Sequence, residues 1–189
     1  MCGKRWLFRA GRLLPLATAA WLAALVPAVA CAQSASVEYA VKATYLYKFA
    51  PFVEWPAGTF QSSADPLVLC VAGSDPVTGL VGDAVKGRVV GGRAIDVVRV
   101  SPAVHAARCH ILYVALKGAA ASAELEKVRG TPVLTVTDAA SEARATGIVN
   151  FVVQDNRVRF EIDQRAAAEN HVVISSKLLN LASRVSPRR

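Results

Sequence analysis

The sequence predicts a single α/β domain with a largely parallel sheet, helices on both faces of that sheet, and an antiparallel hairpin near the C-terminus. Two observations predict this fold class. Short apolar runs alternate with segments of helical periodicity, an order typical of parallel sheets built through helical crossovers. Toward the C-terminus, residues 147–153 and 157–163 form two strand-like runs around the turn sequence Gln154-Asp155-Asn156.

The first predicted helix covers residues 37–50. Its apolar residues recur at close to helical spacing, whereas Lys42 and Lys48 fall outside this stripe. Pro51 ends or kinks the helix. The stripe, which we expect to face the core, consists of Val37, Val41, Tyr45 and Phe49.

The rest of the chain alternates between strands and helices. Apolar runs predict four strands, at 66–73, 92–100, 109–116 and 131–138. Helical patterns predict three further helices, from Pro76 to about Lys86, over 119–129 and over 164–183. The start of the first of these helices has a clear signal, because Ser74-Asp75-Pro76 supplies an N-cap followed by a proline near the first helical position.

The first 32 residues have the composition of a secretory signal peptide. A basic start is followed by an apolar run over 13–30 and by the small-residue site Ala30-Cys31-Ala32. The competing interpretation is a membrane anchor, since the apolar run is near spanning length, but it contains Pro15 and Pro27. We expect export and cleavage after Ala32.

The leader also allows a second processing site. The sequence "AVAC" ending at Cys31 fits a weak lipobox, so a lipoprotein that begins at Cys31 is the minority alternative to a periplasmic domain of residues 33–189.

Removal of the leader changes the charge of the protein. Four of the 22 basic residues and none of the 14 acidic ones lie in the leader, so its removal lowers the formal charge from +8 to +4. We therefore expect no nucleic-acid partner.

Two cysteines remain beyond the leader, Cys70 and Cys109. Two cysteines in an exported domain predict one disulfide bond. The alternative is a metal site that uses these cysteines together with His105 and His110, but neither a C-x-x-C nor an H-x-x-x-H spacing supports it. We expect no metal and no cofactor.

The chain has no catalytic motif that argues for an enzyme. The glycines of "VAGSDPVTGLVG" fit neither a dinucleotide fingerprint nor a P-loop. Neither a G-x-S-x-G elbow nor an S-x-x-K motif is present. Catalytic groups assemble in space and not in sequence, so motifs alone leave catalysis open. We expect a non-enzymatic protein.

Four phrases resemble the YfiR family of periplasmic proteins. They are "YAVKATYLYKFAPFVEWP", "CHILYVA", "VNFVVQDNRVRFEID" and "ISSKLLNLA". The similarity spans nearly the whole chain beyond the leader, and the first phrase is the most specific. Cys70 and Cys109 match the disulfide positions of this family. A second disulfide that some members carry near the hairpin has no counterpart, because no cysteine follows position 109.

The resemblance implies a regulatory function. A YfiR-type protein represses an inner-membrane diguanylate cyclase by binding its periplasmic sensor part, and so limits cyclic-di-GMP and biofilm formation. An outer-membrane lipoprotein can sequester the repressor. The alternative is a periplasmic small-molecule binding module, with its ligand at the carboxyl ends of the parallel strands. The sequence leaves open whether the protein is a monomer or a homodimer.

Four residues are candidates for partner binding because core packing explains them least. Seven of the ten aromatic residues beyond the leader lie between residues 39 and 60. Among these, Tyr47 is off the helical stripe and Trp55 lies past the helix, so each is expected either to pack on the sheet or to contact a partner. Glu161 should point away from the face that Phe160 buries. Lys177 should lie at the edge of the last helix.

Overall fold

The structure, a computed structural model, describes residues 26–100, 106–138 and 146–187. The chain divides into two compact units, Met1–Ala35 and Ser36–Arg189, and every strand that the structure describes belongs to the second. Most of the predicted leader lies outside the described residues. The predicted cleavage point after Ala32 lies within the first described helix.

The described residues form five α-helices and ten β-strands. The helices are α1 Val26–Lys48, α2 Pro76–Val85, α3 Gly118–Glu126, α4 Gln164–Glu169 and α5 Ser176–Leu179. The strands are β1 Val53–Glu54, β2 Leu67–Ala72, β3 Val89–Val90, β4 Arg93–Arg99, β5 Ile111–Val114, β6 Leu134–Asp138, β7 Val149–Gln154, β8 Arg157–Asp163, β9 Val173–Ile174 and β10 Arg184–Ser186. Single turns of 3₁₀ helix follow α1 and precede β5.

The main sheet has the strand order β10-β8-β7-β6-β5-β2-β4-β3. Its centre, from β4 through β2, β5 and β6 to β7, is entirely parallel. β7 and β8 form the predicted antiparallel hairpin, whose two-residue turn has positive φ at Asp155 and Asn156, as a type I′ turn requires. β1 and β9 pair separately as a small antiparallel sheet. The predicted fold class is confirmed.

Each face of the main sheet buries its own apolar cluster, because side chains alternate between the faces along a strand. Leu69 and Val71 of β2 join the larger cluster, which α1 and α2 cover. Cys70 and Ala72, their neighbours in sequence, join the smaller cluster, to which Ala121 of α3 belongs. A sheet covered on both faces explains why its central strands read as continuous apolar runs.

The predicted stripe is confirmed at Phe49, which directly follows α1 and is 2% exposed, but α1 also buries positions outside the stripe. Val37 is 61% exposed, so the predicted stripe is wrong at this position. The buried positions include Ala43, Leu46 and Tyr47, and also Lys42, which is 0% exposed. The prediction that Lys42 lies off the core face is therefore wrong. The physical reason is an acidic partner on β6, described below, which allows a lysine to be buried.

The predicted helix over 164–183 is instead α4, β9 and α5, followed by a turn that leads into β10. The break follows Asn170, whose side chain accepts a hydrogen bond from Gly130 N–H and donates one to the Val133 carbonyl. His171 then adopts a positive φ of 56°, which ends the helix. Ser175 begins the next helix by accepting a hydrogen bond from Leu178 N–H.

Candidate functional site

Four aromatic rings pack together between the end of α1 and the hairpin. Tyr45 lies on α1, and Phe49, which directly follows α1, donates its N–H to the Tyr45 carbonyl. Phe151 and Phe160 are directly paired on β7 and β8. The ring centres of Phe49 and Phe160 are 5.2 Å apart in an edge-to-face arrangement, and those of Tyr45 and Phe151 are 6.3 Å apart. These separations are typical of stabilising aromatic pairs. We call these four residues the hairpin cluster.

An apolar groove of about 270 Å³ opens beside the hairpin cluster. Tyr45, Phe49 and Phe160 line one part of it. The other apolar residues that line it are Phe52, Val158, Leu178 and Leu181. Leu181 is 61% exposed, so a large apolar side chain at the groove is in contact with solvent. An uncovered apolar recess of this kind is typical of a surface that contacts another molecule.

The charged residues that line this groove are both basic. Lys48 and Arg159 are exposed and carry the only formal charges among its lining residues. Lys177, also exposed, immediately precedes Leu178. On the same strand as Arg159, the carboxylate of Glu161 pairs with Arg184, whose Nη2 lies 2.6 Å from Oε2. The hydrogen bond and charge of Glu161 raise the pKa of Arg184 above its ordinary value.

A second aromatic cluster, formed by Trp55, Phe60 and His110, is covered by the chain itself. The rings of Phe60 and His110 stack with their centres 4.1 Å apart, and Trp55 meets Phe60 edge-on at 6.0 Å. Arg93 lies over the other side of Phe60, with its guanidinium carbon 4.0 Å from the ring centre. The same guanidinium donates hydrogen bonds to the carbonyls of Ser62 and Asp65. We call this the capped cluster.

His110 links the capped cluster to the sheet. Its Nδ1 accepts a hydrogen bond of 2.9 Å from Val68 N–H, so this nitrogen carries no proton. Burial lowers the pKa of His110, and the positive charge of Arg93 acts in the same direction, while a hydrogen bond with the Thr59 backbone and the charge of Asp65 oppose them. The neutral ring is therefore the form that the fold favours.

A buried ion pair lies at the carboxyl end of β6. The ammonium of Lys42 donates hydrogen bonds of 2.6 Å to Asp138 and 2.5 Å to Glu38. Burial disfavours the charged lysine, but the hydrogen bonds and charges of the two carboxylates outweigh burial and raise the pKa of Lys42. Nearby, the hydroxyl of Tyr113 donates a hydrogen bond of 2.7 Å to Asp75. The pKa of Tyr113 is raised, mainly by burial and next by this hydrogen bond.

The structure separates the four residues predicted to bind a partner. Tyr47 is 8% exposed and belongs to the core, so the premise that packing leaves it unexplained is wrong. Trp55 is half-buried in the capped cluster, and its buried Nε1 has no hydrogen-bond partner among the described residues. Glu161 is half-buried and bound to Arg184, while Lys177 is exposed beside the groove. Their binding of a partner stays a prediction.

The groove itself was missed by the sequence reasoning. Phe160 was recognised as buried, but Leu181 and Val158 carried no signal that set them apart from other apolar residues. The two line one recess because the chain after α5 returns to the edge of β8, where Ser183 bonds to the Phe160 carbonyl and β10 pairs. A weak signal was available in the phrase "ISSKLLNLA", where three leucines within four residues exceed what a short helix of four residues can bury.

The predicted disulfide between Cys70 and Cys109 is confirmed. Its Cα atoms lie 5.8 Å apart, within the usual range for a bridge. Cys70 lies in β2 and Cys109 just before β5, and these strands are neighbours in the sheet. The alternative metal site would need both sulfurs as thiolates, which the bridge precludes. His105, the other proposed ligand, lies outside the described residues.

Two further properties concern only the part of the chain that the structure describes. Within it, no helix combines the length and hydropathy needed to cross a bilayer. Within it too, no three side chains among His, Cys, Asp and Glu come together in a way that would bind a metal ion.

The fold and these sites define a disulfide-bridged α/β domain that presents an open aromatic groove. Comparison with known families identifies it further. The model of the YfiR/HmsC-like family matches residues 39–183, and the chain belongs to this family. The resemblance inferred from the sequence is therefore confirmed. The family is one of regulatory, non-catalytic periplasmic proteins associated with cyclic-di-GMP signalling. A search of curated proteins finds no match.

Proposed function

We propose that this protein is exported to the periplasm and restrains an inner-membrane diguanylate cyclase by contact with the periplasmic part of that enzyme. Membership of the YfiR/HmsC-like family supports a regulatory role in cyclic-di-GMP signalling. The observation that carries the proposal is the aromatic groove with its basic rim. Exposed apolar surface bordered by charge is typical of protein–protein contact sites.

The proposal includes two further elements. The leader is removed after Ala32, which places residues 33–189 in the periplasm, where a disulfide bond forms readily. An outer-membrane lipoprotein competes with the cyclase for this protein and thereby releases cyclic-di-GMP synthesis. The protein itself catalyses no reaction in this scheme, because binding alone accounts for repression.

The small-molecule alternative places a ligand at the carboxyl ends of the parallel strands. The carboxylates described there already have partners within the chain. Asp75 accepts hydrogen bonds from Tyr113 and from Thr78 N–H, and Asp138 accepts one from Lys42. Because a ligand would have to displace these partners, the contact function is the better supported of the two.

Deletion of the gene tests the proposed function. In a strain with its cyclase genes intact, we expect deletion to raise cellular cyclic-di-GMP, measured by mass spectrometry, and to increase biofilm mass. Expression of the full-length gene from a plasmid should restore the original level. A second deletion, of the cyclase with a periplasmic part, should abolish the increase. An unchanged cyclic-di-GMP level in the first deletion strain would contradict the proposal.

A further inference from the structure

The outer edge of β8 is only partly covered by a neighbouring strand. β10 pairs in parallel with Glu161–Asp163, and Ser183 extends this contact by donating its N–H and hydroxyl to the Phe160 carbonyl, at 2.9 and 3.0 Å. Before Phe160, at residues 157–159, no strand of the described chain pairs with this edge. An uncovered strand edge offers backbone donors and acceptors to another chain.

The direction of the backbone groups on this edge follows from their alternation. The Phe160 carbonyl faces outward, since it accepts from Ser183, whereas Asp163 N–H faces β7, since it donates to the Ile148 carbonyl. Backbone groups alternate in direction along a strand, so the N–H and C=O of Val158 face outward as well. Val158 therefore presents one donor and one acceptor to whatever lies beside it.

The apolar groove lies on the side of this edge where Val158 and Phe160 place their side chains. A segment paired with Val158 would alternate its own side chains in the same way. One of these side chains would enter the groove between the hairpin cluster and Leu181. The uncovered edge and the groove are thus two halves of one surface, which we call the edge groove.

We propose that the edge groove binds a short extended segment of a protein partner, in which an aromatic or branched apolar side chain is flanked by carboxylates. The proposal rests on the proposed function, in that it names the chemistry of the contact that regulation requires. Backbone pairing would come from Val158 and the apolar side chain would fill the groove. The flanking carboxylates would alternate to the opposite face of the strand, where Arg159 places its side chain, and Arg159 has no acidic neighbour among the lining residues.

Charge argues against a second copy of this chain as the occupant. A two-fold symmetric contact places the same surface of both protomers together. It would therefore bring Lys48 and Arg159 of one protomer close to the same two cations of the other. Like charges in an interface disfavour association, whereas a partner with carboxylates at these positions removes the repulsion.

A designed peptide tests the edge groove directly. The probe is the fluorescein-labelled peptide TVDFEVT, titrated against residues 33–189 and followed by fluorescence anisotropy. We expect weaker binding for three control peptides: TVKFKVT with reversed charge, TVDAEVT without the aromatic ring, and TVDFEVT with alternate backbone nitrogens methylated. Equal binding of the methylated peptide would overturn the strand-addition geometry, and equal binding of TVKFKVT would overturn the role of the basic rim.

Protein variants locate the peptide on the surface. Leu181→Asp should weaken binding of TVDFEVT roughly tenfold or more, as loss of an apolar anchor does. The matched control Val89→Asp, at another exposed apolar residue, should leave binding unchanged. Arg159→Glu should reverse the preference and favour TVKFKVT, while Arg88→Glu should not. Retained affinity in Leu181→Asp would overturn the proposal. So would dissociation of a dimer by that variant in sedimentation, because it would assign the groove to a second copy.

The same variants separate this proposal from the proposed function. If deletion of the gene raises cyclic-di-GMP and a folded Leu181→Asp protein still represses, the edge groove is not the contact and the proposed function stands. If deletion has no effect while the peptide preferences are as expected, the edge groove stands and its partner is not the cyclase. Loss of repression in Leu181→Asp but not in Val89→Asp supports both.

Discussion

The hairpin cluster and the capped cluster draw on the same aromatic-rich part of the sequence, yet the first borders an apolar groove and the second is covered by a cation. Tyr45 and Phe49 of the hairpin cluster border the apolar groove. Phe60 of the capped cluster is covered by Arg93, which also holds the neighbouring loop by two carbonyl hydrogen bonds. A dense run of aromatic residues thus serves two purposes in one domain.

The difference shows that residues distant in sequence decide what lies beside each aromatic cluster. Arg93 and His110 reach the capped cluster from β4 and from the start of β5. Among the residues that the structure describes, no basic side chain is found over a ring of the hairpin cluster, and Lys48 and Arg159 border the groove. Changes in the capped cluster should therefore reduce stability, and changes at the groove should reduce binding.

The largest stability effect is expected from removal of the disulfide, which joins β2 to the residue before His110. The bridge closes a loop with a sequence separation of 39 residues. In the chain-entropy model a loop of this size stabilises the fold by about 4 kcal/mol. Urea denaturation of the double variant Cys70→Ala/Cys109→Ala should show this loss. Wild-type protein unfolded in the presence of a reductant provides the control, and a loss below about 1 kcal/mol would contradict the expectation.

Paired truncations at the two clusters test the comparison itself. Trp55→Ala should cost about 2 kcal/mol, less than truncation of a fully buried tryptophan because Trp55 is half-buried. Leu181→Ala should cost less than about 0.5 kcal/mol, since Leu181 is mostly exposed. Both free energies of unfolding come from the same urea titration. If Leu181→Ala were as destabilising as Trp55→Ala, the groove would be part of the core and the distinction would fail.

The sequence predicted the centre of the fold because its signals are local. Continuous apolar runs identified β2, β5 and β6, and the turn at Asp155 and Asn156 identified the hairpin. The burial of Lys42 could not be predicted in this way, since it depends on Asp138, which lies 96 residues away. A pattern that counts every lysine as exposed therefore left Lys42 out of the buried face of α1.

The C-terminal region shows a second limit. Residues 164–183 are rich in alanine and leucine, and on composition they favour a helix. Tertiary bonds override this preference, because Asn170 bonds to the loop before β6 and Ile174 pairs with Val53. The run Val172-Val173-Ile174 carried the local signal for a strand, since β-branched residues favour extended structure. The groove depends on this misjudged region, and so it could not be predicted.

The smallest expected effect is a pH dependence that belongs to the capped cluster alone. The pKa of His110 is lowered from 6.5 in the folded protein, so its unfolded form binds a proton first as the pH falls. The contribution of His110 to the free energy of unfolding is complete above pH 6.5. It is lost as the pH falls from 6.5 toward the lower pKa of His110 in the folded protein. The slope cannot exceed about 1.4 kcal/mol per pH unit for one proton. The pKa of Asp65 is lowered from 3.8 by hydrogen bonds with Ser62, so Asp65 titrates below this window.

The variant His110→Asn isolates this effect, because an asparagine side-chain oxygen can accept the Val68 N–H hydrogen bond without titrating. Unfolding free energies measured between pH 7 and pH 5 should fall for the wild type and fall less for His110→Asn. His171→Asn is the matched control, since His171 is exposed and its positive φ suits asparagine. If the slope vanished in His171→Asn and persisted in His110→Asn, the pH dependence would not arise from the capped cluster. The contrast between the two clusters would then rest on the truncation variants alone.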